Sequence, residues 1–418
     1  MKRLIRLGIS LLGLLASCGL ANGQRTADSA LGTTASVIAI ANLDQQIAQL
    51  REEPGIEELL LVRSRFIGDY EALDRASRLT EARFETGPDL IRRARTRSAV
   101  HRFGDALADL SAAERAGIAV DKIFPQHASI LIATGRAVEV IPQLEADLVR
   151  HPGYGSRGTL AGAYAASGRL DAADRLYVAA LSDLDTTLPF PYAWIYFARG
   201  LMWAEQGGDP VRAEVLYRKA LMYFPEFVPA NVNLAELEIA RGDTASAMAR
   251  LLRVVSSSNE PEALALLGTL HERAGDVATG KQEISLALQQ FESLLVLYPL
   301  AFADHAAEFY LGPGANAERA WVLAEQNLAN RDTDRAAALA VKAAEATGRY
   351  AEATALLLNH GPLVQMYLRS LNRTKMDRQA LSRVQTKAHR TDAAQAEDDS
   401  RELRVTTGRH ARRHGAGS

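Results

Sequence analysis

Few residue pairs in this chain have the spacing that chemistry needs. His305 and Glu308, in the run Asp304-His305-Ala306-Ala307-Glu308, stand one helical turn apart, as two metal ligands on a helix would. No third or fourth ligand follows at suitable spacing, and an ion pair on a helix surface is the simpler reading. His410 and His414 share a four-residue spacing inside a polar tail, where they would hold a metal only loosely. No nucleophile elbow, Walker loop, His-Glu-x-x-His helix or dinucleotide fingerprint occurs. The expectation is therefore no catalytic residue, no metal and no cofactor, although groups converging from distant parts of a chain leave no local trace. Arg92, Arg93, Arg95, Arg97 and Arg102 cluster on one helical segment whose buried stripe is Leu90, Ile91 and Ala94. Their guanidinium forks could bind phosphate or carboxylate groups; the competing reading is a solvated face paired with Asp105 and Asp109.

The elements that must position these residues announce themselves by repetition. A glycine followed by Asp or Arg recurs as Gly68-Asp69, Gly104-Asp105, Gly135-Arg136, Gly168-Arg169, Gly208-Asp209, Gly242-Asp243, Gly275-Asp276 and Gly348-Arg349, with Gly314 filling the one gap. The mean step is about 35 residues, the signature of a stacked-repeat architecture. Around Gly168, Leu160, Ala161 and Tyr164 form one helical stripe before the turn, and Ala173, Tyr177 and Ala180 form another after it. Glycine suits the turn because the chain leaving the first helix needs a positive φ. Small residues at Ala161 and Ala173 let the two helices approach closely. Gly280 stands where the pattern puts the second-helix alanine of its unit.

That constellation resembles the tetratricopeptide repeat. The resemblance implies an all-α fold, a right-handed superhelical solenoid of about nine helix pairs over residues 42–368, with a lead-in helix marked by Leu43, Ile47 and Leu50. It also implies that first-helix positions flanking the small residue face a concave groove. Those positions are Phe197 and Leu201, with Trp194 a turn earlier, Gly158 and Gly162 in the preceding unit, and Val232 and Glu236 in the following one. The groove would hold an aromatic patch beside a glycine-lined depression, suited to a peptide or helix from a partner. Burial of Trp194 and Phe197 between helices is the alternative. The charge clamp by which some relatives hold chaperone C-termini is missing, since Phe197 and Leu201 occupy sites where Lys and Asn would stand.

The ends of the chain address compartment. Lys2, Arg3 and Arg6 precede the apolar stretch Leu7 to Leu15, so residues 1–17 are expected to be a signal peptide. Cys18, the only cysteine, ends Leu15-Ala16-Ser17-Cys18, which resembles a bacterial lipobox; lipidation at Cys18 would make it the mature N-terminus, and Gly19 favours an outer-membrane address. Cleavage after Ala21-Asn22-Gly23 would instead leave a soluble periplasmic or secreted product. Residues 18–41 are expected to be a flexible tether, and residues 369–418 a closing helix and a disordered tail with 12 Lys/Arg against six Asp/Glu.

Across the chain, 48 Lys and Arg balance 50 Asp and Glu, which excludes the strong basic field of a general nucleic-acid binder. Solenoids present long surfaces and rarely enclose a catalytic pocket. The expected function is a non-catalytic scaffold joining protein partners of the cell envelope, anchored by lipid. The alternative is an envelope hydrolase or transferase, or a subunit of one, using the groove for a polymer substrate; a convergent set of buried titratable groups would favour it.

Overall fold

The structure is a computed structural model that describes residues 32–83, 85–360 and 364. The expected signal peptide with Cys18, and the expected closing helix and basic tail of residues 369–418 with His410 and His414, lie outside the described residues.

Nineteen helices and no strand occur among the described residues. After α1 (Ser36–Leu50) come α2 (Ile56–Ile67) with α3 (Tyr70–Glu81), α4 (Gly87–Ala99) with α5 (Phe103–Arg115), and α6 (Val120–Ala133) with α7 (Ala137–Arg150). The middle holds α8 (Tyr154–Ala166) with α9 (Leu170–Ser182), α10 (Pro189–Glu205) with α11 (Pro210–Tyr223), and α12 (Val228–Arg241) with α13 (Thr244–Ser257). The last pairs are α14 (Pro261–Arg273) with α15 (Val277–Leu297), α16 (Ala303–Leu311) with α17 (Ala317–Asn330), and α18 (Asp334–Ala346) with α19 (Tyr350–His360). The helix α1 begins at Ser36, inside the stretch expected as a tether. Ser36 and Ala39 complete its buried stripe with Leu43 and Ile47, and residues so small give little sequence signal.

The Gly-Asp pairs work as a two-residue device. At Gly242 the backbone is left-handed, with φ 89°, so the last turn of α12 can close on itself without a Cβ penalty. Asp243 then caps α13, its carboxylate accepting the Ser246 N–H. Asp69, Asp209 and Asp276 cap their helices in the same way. Two of the nine expected turn glycines are not in the turn. Gly104 lies inside α5, and His101, at φ 57°, makes the left-handed turn instead. Ala315, at φ 46°, replaces Gly314. His101 tolerates the strained conformation because its surroundings fix it: its carbonyl accepts from Asn330 Nδ2 at 3.0 Å and its ring stacks on Phe103.

Within a pair the helices meet through small residues. Ala161 and Ala173 are fully buried in one cluster with Tyr177 and Ala180. A Cβ at Gly200 would stand 2.6 Å from the Tyr217 ring, so α10 and α11 pack with a tyrosine against bare backbone. The departure at Gly280 has a similar cause: a Cβ there would lie 2.6 Å from the Gly268 carbonyl oxygen, because α14 and α15 touch backbone to backbone. First helices of successive pairs also contact one another, which places them on the inner, tighter side of the stack.

The stack winds back onto itself. Tyr70 bonds Glu260, Asp74 bonds Tyr298, and His101 bonds Leu300 and Asn330, at sequence separations of 190, 224, 199 and 229. A Cβ at Gly135 would collide with the Asp332 carbonyl. These contacts recur after about six units, so one superhelical turn rests on the next. A single apolar core accordingly joins α1–α3 to α10–α12 and α14–α19, while α13 and the intervening pairs have smaller cores between neighbours.

Candidate functional site on the inner face

The expected groove residues fall on α8, α10 and α12, the inner helices, but the aromatic patch is not open. Phe197 is 7% exposed, packed 5.0 Å from the Phe227 ring and 5.7 Å from Tyr217. Trp194 is half-buried, with Phe66 from α2 and Phe227 both 6.4 Å away. Phe66 itself sits among Phe190, Phe224 and Phe227 at 5.0, 5.5 and 4.6 Å. The N-terminal pair therefore roofs the surface that the sequence marks as exposed. Gly158 and Val232 are buried as well; Gly162, Leu201 and Glu236 keep part of their surface. Phe66 escapes a sequence reading because nothing local ties it to residues more than 120 positions on. The available signal is that Phe66, Phe190, Phe224 and Phe227 are large apolar residues in excess of what each unit needs for its own stripe.

Beyond this aromatic nest the inner face becomes charged. Successive inner helices contribute Glu205 (α10), Glu236 (α12), Glu262 (α14), Asp304, His305 and Glu308 (α16), and Arg335 (α18). Arg335 reaches Glu205 at 3.2 Å, Asp304 at 3.0 Å and Glu308 at 3.5 Å. His305 Nδ1 pairs with Glu262. Burial opposes charging His305, but the carboxylates of Glu262 and Asp304 overcome it and raise its pKa to about 10. Asp304 is 2% exposed; burial works against its charge too, yet His305, Arg331 and Arg335 hold its carboxyl far below the usual range. Burial, reinforced by Glu262 and Glu308, pushes Glu236 up to about 8. Glu260, the N-cap of α14, is raised to about 7 by burial and by Glu262, against the hydrogen bond it accepts from Tyr70. These groups lie deep inside the wound stack and still touch water, the His305 side chain being 38% exposed. Solvent therefore screens the couplings.

This arrangement differs from two isolated ligands on a helix. His305 turns to Glu262 and Glu308 to Arg335, and no group of three His, Cys, Asp or Glu suited to a metal occurs among the described residues. The arginine cluster is likewise matched by carboxylates. Arg93 and Arg97 share Asp109 at 2.6 and 2.9 Å; Arg97 and Arg102 share Glu81 at 2.7 and 2.8 Å. Arg92 pairs with Asp89, Arg102 with Asp105, and the buried Arg95 with Glu58. Two further hubs went unseen in sequence. Asp174 takes Arg199, Arg212 and the Trp203 indole N–H, and the fully buried Glu238 takes Arg250. Asp174, on α9, joins its unit to α10 and α11 of the next, whereas Glu238 ties α12 to α13 within one unit.

Comparison with known proteins adds to this geometry. Residues 204–270, from the end of α10 to α14, match the family model described as tetratricopeptide repeat. No curated protein matches the chain significantly. Among solved structures, the crystal structure of the APC/C hetero-tetramer Cut9–Hcn1 is similar at 16% identity and a TM-score of 0.44, covering 79% of this chain and 66% of that one. A tetratricopeptide repeat protein from Parabacteroides merdae ATCC 43184 follows at 16% identity and a TM-score of 0.37, covering 62% and 98%. The C-terminal part of a repeat-containing protein from Cytophaga hutchinsonii has 14% identity and a TM-score of 0.31, covering 60% and 99%. The chain spans just under two thirds of the length of the first of these. The segment from the end of α10 to α14 thus carries the tetratricopeptide-repeat match, and helix pairs joined by similar turns lie on both sides of it.

Proposed function

We propose that this protein is a non-catalytic interaction scaffold of a bacterial cell envelope, anchored through a lipid on Cys18 and holding a segment of a protein partner on its inner face. The observation that carries the scaffold reading is the tetratricopeptide match at residues 204–270, on the units whose inner helices bear Leu201 and Glu236. Repeats of this kind are interaction modules, and a stack of nine pairs offers far more surface than folding requires. Trp194 retains accessible surface beside Phe66, and Leu201 and Gly162 retain some of theirs, so a partner would lie along the rim of the aromatic nest rather than inside it. The envelope address rests on Lys2, Arg3 and Arg6, the following apolar run and the Leu-Ala-Ser-Cys sequence. No helix among the described residues is long and apolar enough to cross a membrane.

The direct experiment pairs two variants of the full chain. Cys18→Ser should release the protein from membranes. Leu201→Ala with Gly162→Arg should remove one specific cross-linked partner from envelopes while the fold persists. A Cys18→Ser protein still bound to membranes would reject the anchor; undiminished capture by the second variant would reject this face.

The enzyme reading has one observation in its favour, the ladder of Glu236, Glu260, Glu262, His305 and Glu308, whose pKa values are spread apart as acid and base pairs are. Against it, Glu262, Asp304, His305 and Glu308 already pair with one another or with Arg335. Hydrolysis of an envelope polymer that disappears in Glu236→Gln would favour the enzyme.

A further inference from the structure

One cation on the inner face stands apart from all the ion pairs described above. Arg65, on α2 one residue before Phe66, places its guanidinium 5.1 Å from the centre of the Trp194 ring. It makes no hydrogen bond or ion pair with any described residue. Its neighbour Arg63 pairs with Asp44 and Asp69, and the other arginines with shifted pKa values (Arg97, Arg136, Arg241 and Arg349) are all raised, with carboxylate bonds among the causes. Arg65 alone is lowered, to about 10, and desolvation is the cause. A guanidinium set against an aromatic face, partly out of water and with its fork of donors unpaired, is a poor arrangement for stability. It is a good one for receiving an anion.

We infer that Arg65 and Trp194 form a receptor for a carboxylate group of the partner, the fork of Arg65 taking both oxygens while the indole supports the guanidinium from behind. This rests on the scaffold reading and names what the partner must present. A carboxylate suits the site because its planar pair of oxygens matches the fork of Arg65. The site exists only because the stack winds back on itself: Arg65 belongs to the first pair and Trp194 to the fifth.

The test uses the full chain and three small probes: acetyl-glycyl-glycine with a free carboxylate, its carboxamide, and acetyl-aspartate amide, which offers a side-chain carboxylate. Tryptophan fluorescence reports binding, and Trp194→Phe confirms that Trp194 is the reporter. The expected result is a saturable change with one or both carboxylates and none with the carboxamide, the responding probe identifying a terminal or a side-chain source. In Arg65→Gln the response should weaken by about tenfold or more, roughly the contribution of one charge-assisted bidentate pair. Arg65→Lys, which keeps the charge and loses the fork, provides a second variant should Arg65→Gln unfold, and should weaken binding less. No saturable response in the native chain, or an equal response in a folded Arg65 variant, overturns the inference. Partner capture from cross-linked envelopes separates the two levels: capture that survives in Arg65→Gln leaves the scaffold reading intact with the anion receptor refuted, whereas no capture by the native chain refutes the reading itself.

Discussion

The Tyr70 hydroxyl donates a 2.6 Å hydrogen bond to the Glu260 carboxylate, joining the first helix pair to the seventh across 190 residues of sequence. With Asp74–Tyr298 and the His101 contacts, it makes the repeat stack a structure with long-range contacts, unlike an open solenoid in which each unit meets only its neighbours. Cooperativity, pH response and the inner surface all follow from that closure.

The closure makes stability sensitive to alkali. Glu260 and Glu236 are held at about 7 and about 8, above their ordinary 4.5, so both favour the protonated form in the folded state. Their contribution is fully present below about pH 4.5 and is lost as pH rises through about 7 to 8. The melting temperature should therefore fall as pH rises from about 5 to about 8. Glu236→Gln, which imitates the neutral acid beside Glu205, Glu262, Glu308 and Arg335, should flatten that fall. A melting temperature that is flat or rises over this interval would contradict the assignment.

Gly200 and Gly104 look alike in the repeat and should respond oppositely to alanine. At Gly200 the new methyl meets the Tyr217 ring, and overpacking of this kind costs roughly 1–3 kcal/mol. At Gly104, inside α5 with open space around it, alanine should be neutral or stabilise by up to about 1 kcal/mol. Chemical denaturation of the two variants checks both signs.

Phe197 should behave as core. Phe197→Ala removes a ring packed against Phe227 and Tyr217, at a cost of about 3–5 kcal/mol. Trp194→Ala, at a half-buried site, should cost less. Equal and small effects of both on the melting temperature would mean that the nest is open.

What the sequence made legible was local. The nine turns, the small-residue contacts at Ala161 and Ala173 and the lead-in helix all leave signals within one 35-residue unit, because each depends on residues three, four or seven apart. His101 and Ala315 were missed as turn residues because a non-glycine can hold a positive φ only with tertiary support, here from Asn330 in the case of His101. The candidate site was legible in half. Trp194, Leu201 and Glu236 were placed on the inner face by repeat position, whereas Phe66 and Arg65 arrive through winding of the whole stack, which no spacing encodes. The Arg92–Arg102 cluster shows the same limit, since its partners Glu81 and Glu58 lie in the preceding unit.

The closure is tested most directly by a double-mutant cycle between Phe66 and Phe227, whose ring centres are 4.6 Å apart. Phe66→Leu, Phe227→Leu and the double variant are unfolded in denaturant, and the interaction energy is taken from the difference. Touching aromatic rings should give a coupling of about 0.5–1.5 kcal/mol. Strictly additive losses, within about 0.3 kcal/mol, would mean that the first pair does not pack against the sixth and that the stack is open.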